Sequence, residues 1–230
     1  MAGADYVQRV GLVFDLDGTL IDSVYQHVLA WREALDVEGI EVAVWSIHRK
    51  IGMSGGLFAR ALARETGREL APEAVDRLQR NHADAFRRFA AGVRPLPGAV
   101  ALLEQLTGLG VPWAIATSGR RETAGPTLDL LGVPDDVPVI TRDLVRRAKP
   151  DPDLFLAAAE ALGLAFEECF VVGDSVWDLL AARRARALPI GLLSGGYGSD
   201  ELERAGAYRV YEDPAAMLAR LDELGIRRPD

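Results

Sequence analysis

Val13-Phe14-Asp15-Leu16-Asp17-Gly18-Thr19-Leu20-Ile21-Asp22-Ser23 is the stretch around which the chain is organised. Val10, Leu12, Val13 and Phe14 form a short apolar run with β-branched and aromatic members, the pattern of a buried strand. Two carboxylates, Asp15 and Asp17, follow two positions apart, and a glycine comes next. Residues i and i+2 of a strand point the same way, about 6–7 Å apart at about 3.3 Å per residue. Two acids so placed repel unless a cation sits between them or one keeps a proton. Gly18 lets the chain leave the strand end through backbone angles that other residues resist. Thr19 adds a hydroxyl at the same turn. Two acids in a turn are common. A pair that ends an apolar strand and precedes Gly-Thr is a candidate site.

Composition bounds what such a site can serve. The 230 residues allow one large domain or a core with a smaller insert. Apolar residues make up 49%, enough for a sizeable core and too many for a disordered chain. The 34 acids outnumber the 26 bases, giving a net charge of −8 that argues against a duplex-binding surface. An acidic enzyme acting on an anionic substrate must neutralise charge locally, which favours a metal ion at the carboxylates. The single cysteine, Cys169, precludes an internal disulfide and is consistent with a reducing compartment. It precedes Phe170-Val171-Val172 and reads as core filler rather than a catalytic thiol. Met1-Ala2-Gly3-Ala4-Asp5 lacks a signal pattern, and no apolar run is long enough to span a membrane. The expectation is a soluble, cytoplasmic protein, monomeric or homodimeric, with neither nucleic acid nor membrane as partner.

From Val24 to about Ala91 the pattern is helical. Val28, Trp31 and Leu35, then Leu57 and Leu62, recur at helix spacing with charges between them. Pro72-Glu73 marks a helix start, with Leu78, Ala85, Phe86 and Phe89 on its apolar face. About ninety residues separate the first strand from the next, Val111–Thr117. One helix would suffice for a direct crossover, so an inserted helical subdomain is the economical reading. Arg94-Pro95-Leu96-Pro97-Gly98 marks the return. Beyond it, helices and strands alternate as in a parallel α/β sheet. Helices are expected near Ala99–Leu109, Glu122–Leu131, Pro152–Leu162 and Val176–Ala185. Strands are expected near Val137–Ile140, Cys169–Val172, Leu188–Leu192 and Tyr208–Tyr211, and a last helix opens at Asp213-Pro214.

The carboxyl ends of these strands carry the reactive groups. The first supplies Asp15 and Asp17, the second Thr117 and Ser118, and the third is followed by Lys149-Pro150. The fourth supplies Gly173-Asp174-Ser175, with Asp178 four residues beyond Asp174. Open α/β sheets bind ligands outside the carboxyl ends of their strands. Asp15 and Asp174 can hold a hard divalent ion such as magnesium. Thr117 and nearby N–H groups can hold phosphate oxygens, and Lys149 is a point charge suited to a phosphoryl group. Taken singly, Thr117 would be a turn residue, Lys149 a solvated one and Asp174 a helix cap. Together, at four strand ends, they describe a site.

Asp15-Leu16-Asp17-Gly18-Thr19, Thr117-Ser118, Ala148-Lys149-Pro150 with Pro152-Asp153-Leu154-Phe155, and Gly173-Asp174-Ser175-Val176-Trp177-Asp178 resemble, in order, the four motifs of the haloacid dehalogenase-like hydrolases. The resemblance covers nearly the whole chain. It includes the segments Gly195-Gly196-Tyr197-Gly198-Ser199 and Leu202–Ala207, and the glycine-rich one is not a Walker loop because no Gly-Lys-Ser/Thr follows. The helical insert resembles the cap of the phosphoglycolate phosphatase and β-phosphoglucomutase subgroup. The resemblance implies an α/β, Rossmann-like parallel sheet sandwiched by helices. Residues 1–22 and 96–230 would form the core and residues 23–95 the cap. It implies a phosphatase in which Asp15 attacks phosphorus and forms an aspartyl-phosphate. Asp17 would protonate the leaving oxygen and then activate water. Magnesium would be held by Asp15, the carbonyl of Asp17, Asp174 and, through water, Asp178. Thr117, Ser118 and Lys149 would bind the phosphoryl group of a small phosphorylated metabolite. Uncatalysed phosphomonoester hydrolysis needs an enhancement of up to about 10²¹-fold, which requires metal, lysine and oriented N–H groups together. An acid at Asp17 favours an oxygen leaving group over a halide, which leaves without a proton.

The cap is expected to choose the substrate. His48-Arg49-Lys50-Ile51-Gly52-Met53-Ser54-Gly55-Gly56 resembles the loop that faces the active site in this subgroup, which makes Arg49 and Lys50 candidate substrate contacts. Sugar-phosphate mutases of the subgroup carry an arginine where this chain has Gly55. That departure weighs against a β-phosphoglucomutase-like activity. His27, His48 and His82 lie outside every motif and read as helix-surface residues. Trp31, Trp45, Trp113 and Trp177 read as packing residues, since no basic stripe accompanies them. Two other classes share parts of the pattern. Response-regulator receivers combine an aspartate, magnesium, a Ser/Thr and a lysine, but lack a large helical insert and place the aspartate on a central strand after an earlier acidic pair. A catalytically silent relative would be expected to break the intact quartet.

Overall fold

The computed structural model describes residues 10–227. β1 (Gly11–Phe14) and the two-residue β2 (Ile21–Asp22) precede four helices: α1 (Val24–Val37), α2 (Val44–His48), α3 (Gly55–Glu65) and α4 (Pro72–Phe89). β3 (Arg94–Pro95) brings the chain back. There follow α5 (Ala99–Gly108), β4 (Trp113–Ala116), α6 (Arg121–Asp129), β5 (Val139–Ile140), α7 (Asp153–Leu162) and β6 (Cys169–Gly173). The chain then runs through α8 (Val176–Arg184), β7 (Leu188–Leu192), α9 (Ser199–Ala205), β8 (Arg209–Tyr211) and α10 (Pro214–Leu218). The expected absence of a leader at Met1–Asp5 lies outside the described residues, as do the outer ends of the expected core. No helix among the described residues is long and apolar enough to cross a membrane.

Six strands form one parallel sheet in the order β5-β4-β1-β6-β7-β8. β1 lies inside it, with Leu12 opposite Trp113 on one side and Phe170 on the other. Its unbroken apolar run follows from burial on both faces, the rule for parallel sheets covered by helices. Leu12 and Phe14 pack with Leu102 and Leu106 of α5 and Met217 of α10. Val13 joins Val171, Leu154 and Phe155 of α7 and Ala182 of α8 on the opposite face. Each such side chain contributes roughly 1.5–3 kcal/mol of burial. From β1 the chain builds outward to β4 and β5, then returns to β6 and builds the other way. The reversal at β1 and β6 is the topological switch point, where a crevice opens at the strands' carboxyl ends.

The insert after β1 is entirely helical between β2 and β3. It has its own apolar core: Val28, Trp31 and Leu35 of α1 meet Phe58 and Leu62 of α3 and Val75 and Leu78 of α4. Those positions recur at three, four and seven residues, as an amphipathic helix requires. β2 and β3 pair antiparallel, Ile21 with Pro95 and Asp22 with Arg94, and so tie the departing and returning chains together. This ribbon has no counterpart in the sequence pattern, because two residues cannot display a period.

Asp15 and Asp17 lie just beyond the end of β1 rather than within it. β1 ends at Phe14, although the Asp15 N–H still donates to the Val172 carbonyl at 2.8 Å. The backbone then curls around Leu16, which is fully buried. Its carbonyl accepts from the N–H groups of Thr19, Leu20 and Ile21 at 3.3, 2.9 and 3.0 Å. The turn closes around the buried Leu16, and the two carboxylates take different hydrogen-bond partners.

Candidate active site

Asp15, Asp174 and Asp178 come from the ends of β1 and β6 and the first turn of α8. They are buried, and each offers an oxygen within 4.8 Å of the others. Lys149, in the loop before α7, is fully buried. Its Nζ pairs with Asp15 and stands 2.8 Å from Asp178 Oδ1. Three buried carboxylates thus share one buried ammonium, which pairs with two of them. Burial pushes the Asp15 carboxyl up from 3.8 to about 7, against the pull of Lys149 and with the help of Asp178. Asp174 is raised well above its ordinary value by burial and by the charges of Asp178 and Asp15. Burial draws Lys149 down, but Asp15 and Asp178 more than reverse this and raise it.

Hydrogen bonds fix the cluster. Thr19 Oγ1 donates to Asp174 Oδ1 at 2.9 Å. Ser175 caps α8, and its N–H and hydroxyl both donate to Asp178 Oδ2, at 3.1 and 2.5 Å. Gly18, at φ +85°, passes so close that a Cβ would stand 2.5 Å from Asp174 Oδ2, and a Cβ on Gly195 would collide with the same atom. The result is a cradle of hard oxygen donors with excess negative charge. Two like charges about 4 Å apart cost on the order of 4 kcal/mol at an effective dielectric of about 20. A divalent cation removes that cost, and hard oxygen donors suit magnesium. The residues present therefore fit such an ion.

Asp17 has hydrogen-bond partners of its own beside this cluster. Ser23 Oγ donates to its Oδ1 at 2.6 Å, and His27 Nε2 lies 3.2 Å away. Burial acts to raise its pKa, but His27 and Ser23 outweigh burial and lower it. The Asp17 carboxylate thus accepts from His27 Nε2–H. The other ring nitrogen of His27 lies 3.1 Å from His82 Nε2. The His27 ring stacks on Phe86 at 3.9 Å, and His82 stacks on Trp31 at 4.2 Å. Burial and the neighbouring His27 hold His82 well below its ordinary value. These two histidines are not helix-surface residues. α1 and α4 lie against each other and bring positions 27 and 82 to the site. His48 does not solvate its helix either: its Nε2 lies 2.8 Å from the Gly195 carbonyl and its ring stacks on Tyr25.

A cavity of about 520 Å³ opens between the core and the helical insert. Asp15, Asp17, Thr117 and Ser118 line it from the core, and His27, Ser54, Gly55 and Gly56 from the insert. Thr117 Oγ1 accepts from the Gly119 N–H at 2.9 Å. Ser118 Oγ donates to the Gly52 carbonyl at 3.0 Å and joins the two parts. Lys149 and Asp174 lie behind Asp15 rather than on the wall.

The structure does not bring Arg49 and Lys50 to this cavity. Arg49 pairs with Glu201, and its guanidinium lies 4.0 Å above the Tyr197 ring. Its carbonyl accepts from Trp177 Nε1 and Tyr197 OH at 3.1 and 2.8 Å. Lys50 pairs with Glu65. Arg49 thus ties the insert to α9 of the core, and Lys50 pairs within the insert. Of the tryptophans expected to pack, Trp31 and Trp113 are buried, whereas Trp45 is 71% exposed. Cys169 is buried in β6, and burial pushes its thiol up to about 11, as befits a core residue.

Residues 11–186 match the family model described as haloacid dehalogenase-like hydrolase. The chain belongs to the haloacid dehalogenase-like hydrolases. Enzymes of this family generally use a divalent metal, which agrees with the carboxylate cradle. Hexitol phosphatase A of Escherichia coli is 34% identical over 94% of this chain and 88% of its own length. A phosphoglycolate phosphatase of Rhodospirillum rubrum is 32% identical, covering 95% and 92%. A hydrolase of Pseudomonas syringae has a crystal structure that superposes with a TM-score of 0.91 at 55% identity, covering 94% of this chain and 99% of that one. Family and relatives together make the chain a phosphoric monoester hydrolase.

Proposed function

We propose that this hydrolase is a magnesium-dependent phosphatase that cleaves small phosphomonoesters through an aspartyl-phosphate on Asp15. The observation that carries this is Asp15 itself: it is the member of the buried carboxylate–lysine cluster that also reaches the cavity wall. A carboxylate oxygen of Asp15 attacks phosphorus, and the bond from phosphorus to the ester oxygen breaks. The leaving oxygen takes a proton from Asp17. Asp17 then removes a proton from water, the water oxygen bonds to phosphorus, and the acyl phosphate bond breaks to release inorganic phosphate. The lowered pKa of Asp17 keeps it ionised, the form that accepts a proton in the second half of the cycle. An entering phosphate dianion adds negative charge beside it and raises its proton affinity, which suits the acid half. Thr117, Ser118 and Lys149 bind phosphoryl oxygens in this scheme. Asp15, Asp174, the carbonyl of Asp17 and, through water, Asp178 would hold magnesium, which when bound neutralises charge on the phosphoryl oxygens. The relatives' names support substrates such as hexitol phosphates or phosphoglycolate. Residues 1–22 and 96–230 as core and 23–95 as cap are proposed on the support of the β2–β3 ribbon.

Asp15→Asn keeps the side-chain shape but cannot form an acyl phosphate. Turnover should fall by more than roughly 10³-fold, as when other covalent nucleophiles are removed. A variant that folds, does not deamidate and keeps a tenth of the wild-type rate would overturn the covalent scheme.

One observation supports a phosphosugar mutase instead. Arg60 of α3 lines the cavity from the insert and could grip a second phosphate. Gly55 and Gly56 offer no charge there, and Arg49 and Lys50 are committed elsewhere, so hydrolysis is the better supported reading.

A further inference from the structure

Two glycines from distant parts of the chain wall in the Asp174 carboxylate. Thr19 Oγ1 donates to its Oδ1. At its Oδ2, an added Cβ on Gly18 would stand 2.5 Å away, and one on Gly195 would overlap the oxygen outright. The Cα atoms of Gly18 and Gly195 therefore form the surface against which this carboxylate rests. Ser194 ties the two sides together, since its Oγ donates to the Gly18 carbonyl at 2.6 Å. Gly195 is buried, and a close-packed interior passes a shift of its backbone on to the side chain in contact with it.

The same glycine faces the helical insert. Its carbonyl lies 2.8 Å from His48 Nε2. A carbonyl only accepts, so Nε2 carries the hydrogen. On the neighbouring Gly196, an added Cβ would meet His48 Nε2 at 3.0 Å and Tyr25 OH at 3.1 Å. Tyr25 stacks on the His48 ring within 8° of parallel, which fixes the plane in which the Nε2–H points. Other contacts between insert and core reach the carboxylates less directly. Ser118 and Trp177 donate to the carbonyls of Gly52 and Arg49, and Arg49 pairs with Glu201. The Ser54 N–H donates to the Lys149 carbonyl at 3.3 Å, but the ammonium that meets Asp15 lies at the far end of that flexible side chain. In Gly195 the carbonyl that meets the insert is bonded to the Cα that meets Asp174.

We propose that His48 is a positioning residue for the metal cradle. Through the Gly195 carbonyl it sets the wall that holds Asp174, so the cradle is in order when the insert is seated on the core. By linkage, the insert is seated more firmly on the metal-loaded core by the same factor. This rests on the magnesium site proposed above and adds a residue of the insert that governs it.

Calorimetric titration with magnesium alone reads the effect without turnover, and circular dichroism and melting in chelator check that each variant folds. His48→Phe keeps a ring to stack on Tyr25 and removes the donor; His48→Leu replaces it if the phenylalanine variant does not fold. Magnesium affinity should fall about three- to ten-fold, less than the 10–100-fold typical of groups bonded directly to a ligand, because Gly195 intervenes. His48→Gln, which restores an N–H donor without the ring, should recover most of the loss. Glu201→Gln breaks the Arg49 pair elsewhere on the insert and should change the affinity little. Wild-type affinity in the donorless variant, a glutamine variant no better than it, or an equal loss in Glu201→Gln overturns this inference and leaves the magnesium site standing. Absence of magnesium binding to the wild-type protein overturns both.

Discussion

Replacing Lys149 by methionine removes the one ammonium buried among Asp15 and Asp178 and keeps much of the side-chain bulk. Breaking a buried ion pair from one side costs about 3–5 kcal/mol. The lower end applies here, because Asp15 already titrates at about 7 and can take up a proton once Lys149 no longer holds it down. For a chain of this size 1 kcal/mol corresponds to about 2–4 °C, so the chelated variant should melt about 6–12 °C below wild type. Magnesium should recover part of that difference, since it supplies charge of the missing sign to the same carboxylates. Turnover should fall by about 10²–10³-fold, the scale of losing one preorganised charge at a transition state. A protonated Asp15 is also a poor nucleophile, so the loss should be greatest at low pH. Calorimetry with and without magnesium, alongside kcat and KM for one phosphomonoester, measures both effects. A loss confined to KM would make Lys149 a binding group only. An unchanged melting temperature in chelator would refute the charge balance drawn from the geometry.

Chelation of wild-type enzyme should abolish turnover, and Asp174→Ala should weaken magnesium binding far more than Asp178→Ala; activity that survives exhaustive chelation would contradict this. The chelated protein should lose stability between about pH 4 and pH 7. Asp15 has a raised folded pKa, so the native state holds its proton more tightly across that window, and the advantage is lost as pH rises through about 7. Asp17, lowered in the fold, acts in the opposite sense at the acid end, and His82, held well below its ordinary value, opposes the loss up to about pH 6.5, so the fall is clearest from about pH 6.5 to 7 and a chelated melting temperature that climbs there would count against the cluster. Arg60→Ala should leave phosphate release dominant, and Gly55→Arg should slow hydrolysis by crowding Trp31 and Gln79, which lie 3.4–3.5 Å from an added Cβ; isomerisation of a hexose phosphate faster than its hydrolysis would favour the mutase.

Local pattern and long-range packing divide what the sequence could reveal. β1 was legible because burial on both faces demands the unbroken run Leu12-Val13-Phe14. Asp15, Thr117, Lys149 and Asp174 were legible because each follows directly on a strand or precedes a helix, so chain order alone puts them on one edge. The partners of Asp17 were not, because Ser23 and His27 reach it through the turn and the first helix of the insert, which the motif does not encode. Arg49 and Lys50 look like free cations in sequence; Glu201 lies 152 positions from Arg49, and only the fold shows the pairing. The histidines carried a signal that composition hides. His27 and Trp31 stand four apart on α1, and His82 and Phe86 four apart on α4, so each histidine shares a helical face with an aromatic core residue. A histidine on an apolar helical face is drawn inward with it. Once α1 lies along α4 the two imidazoles meet, and the inner one comes within reach of Asp17. Two helices of the insert are thereby joined, through the histidine pair, to Asp17 at the end of β1.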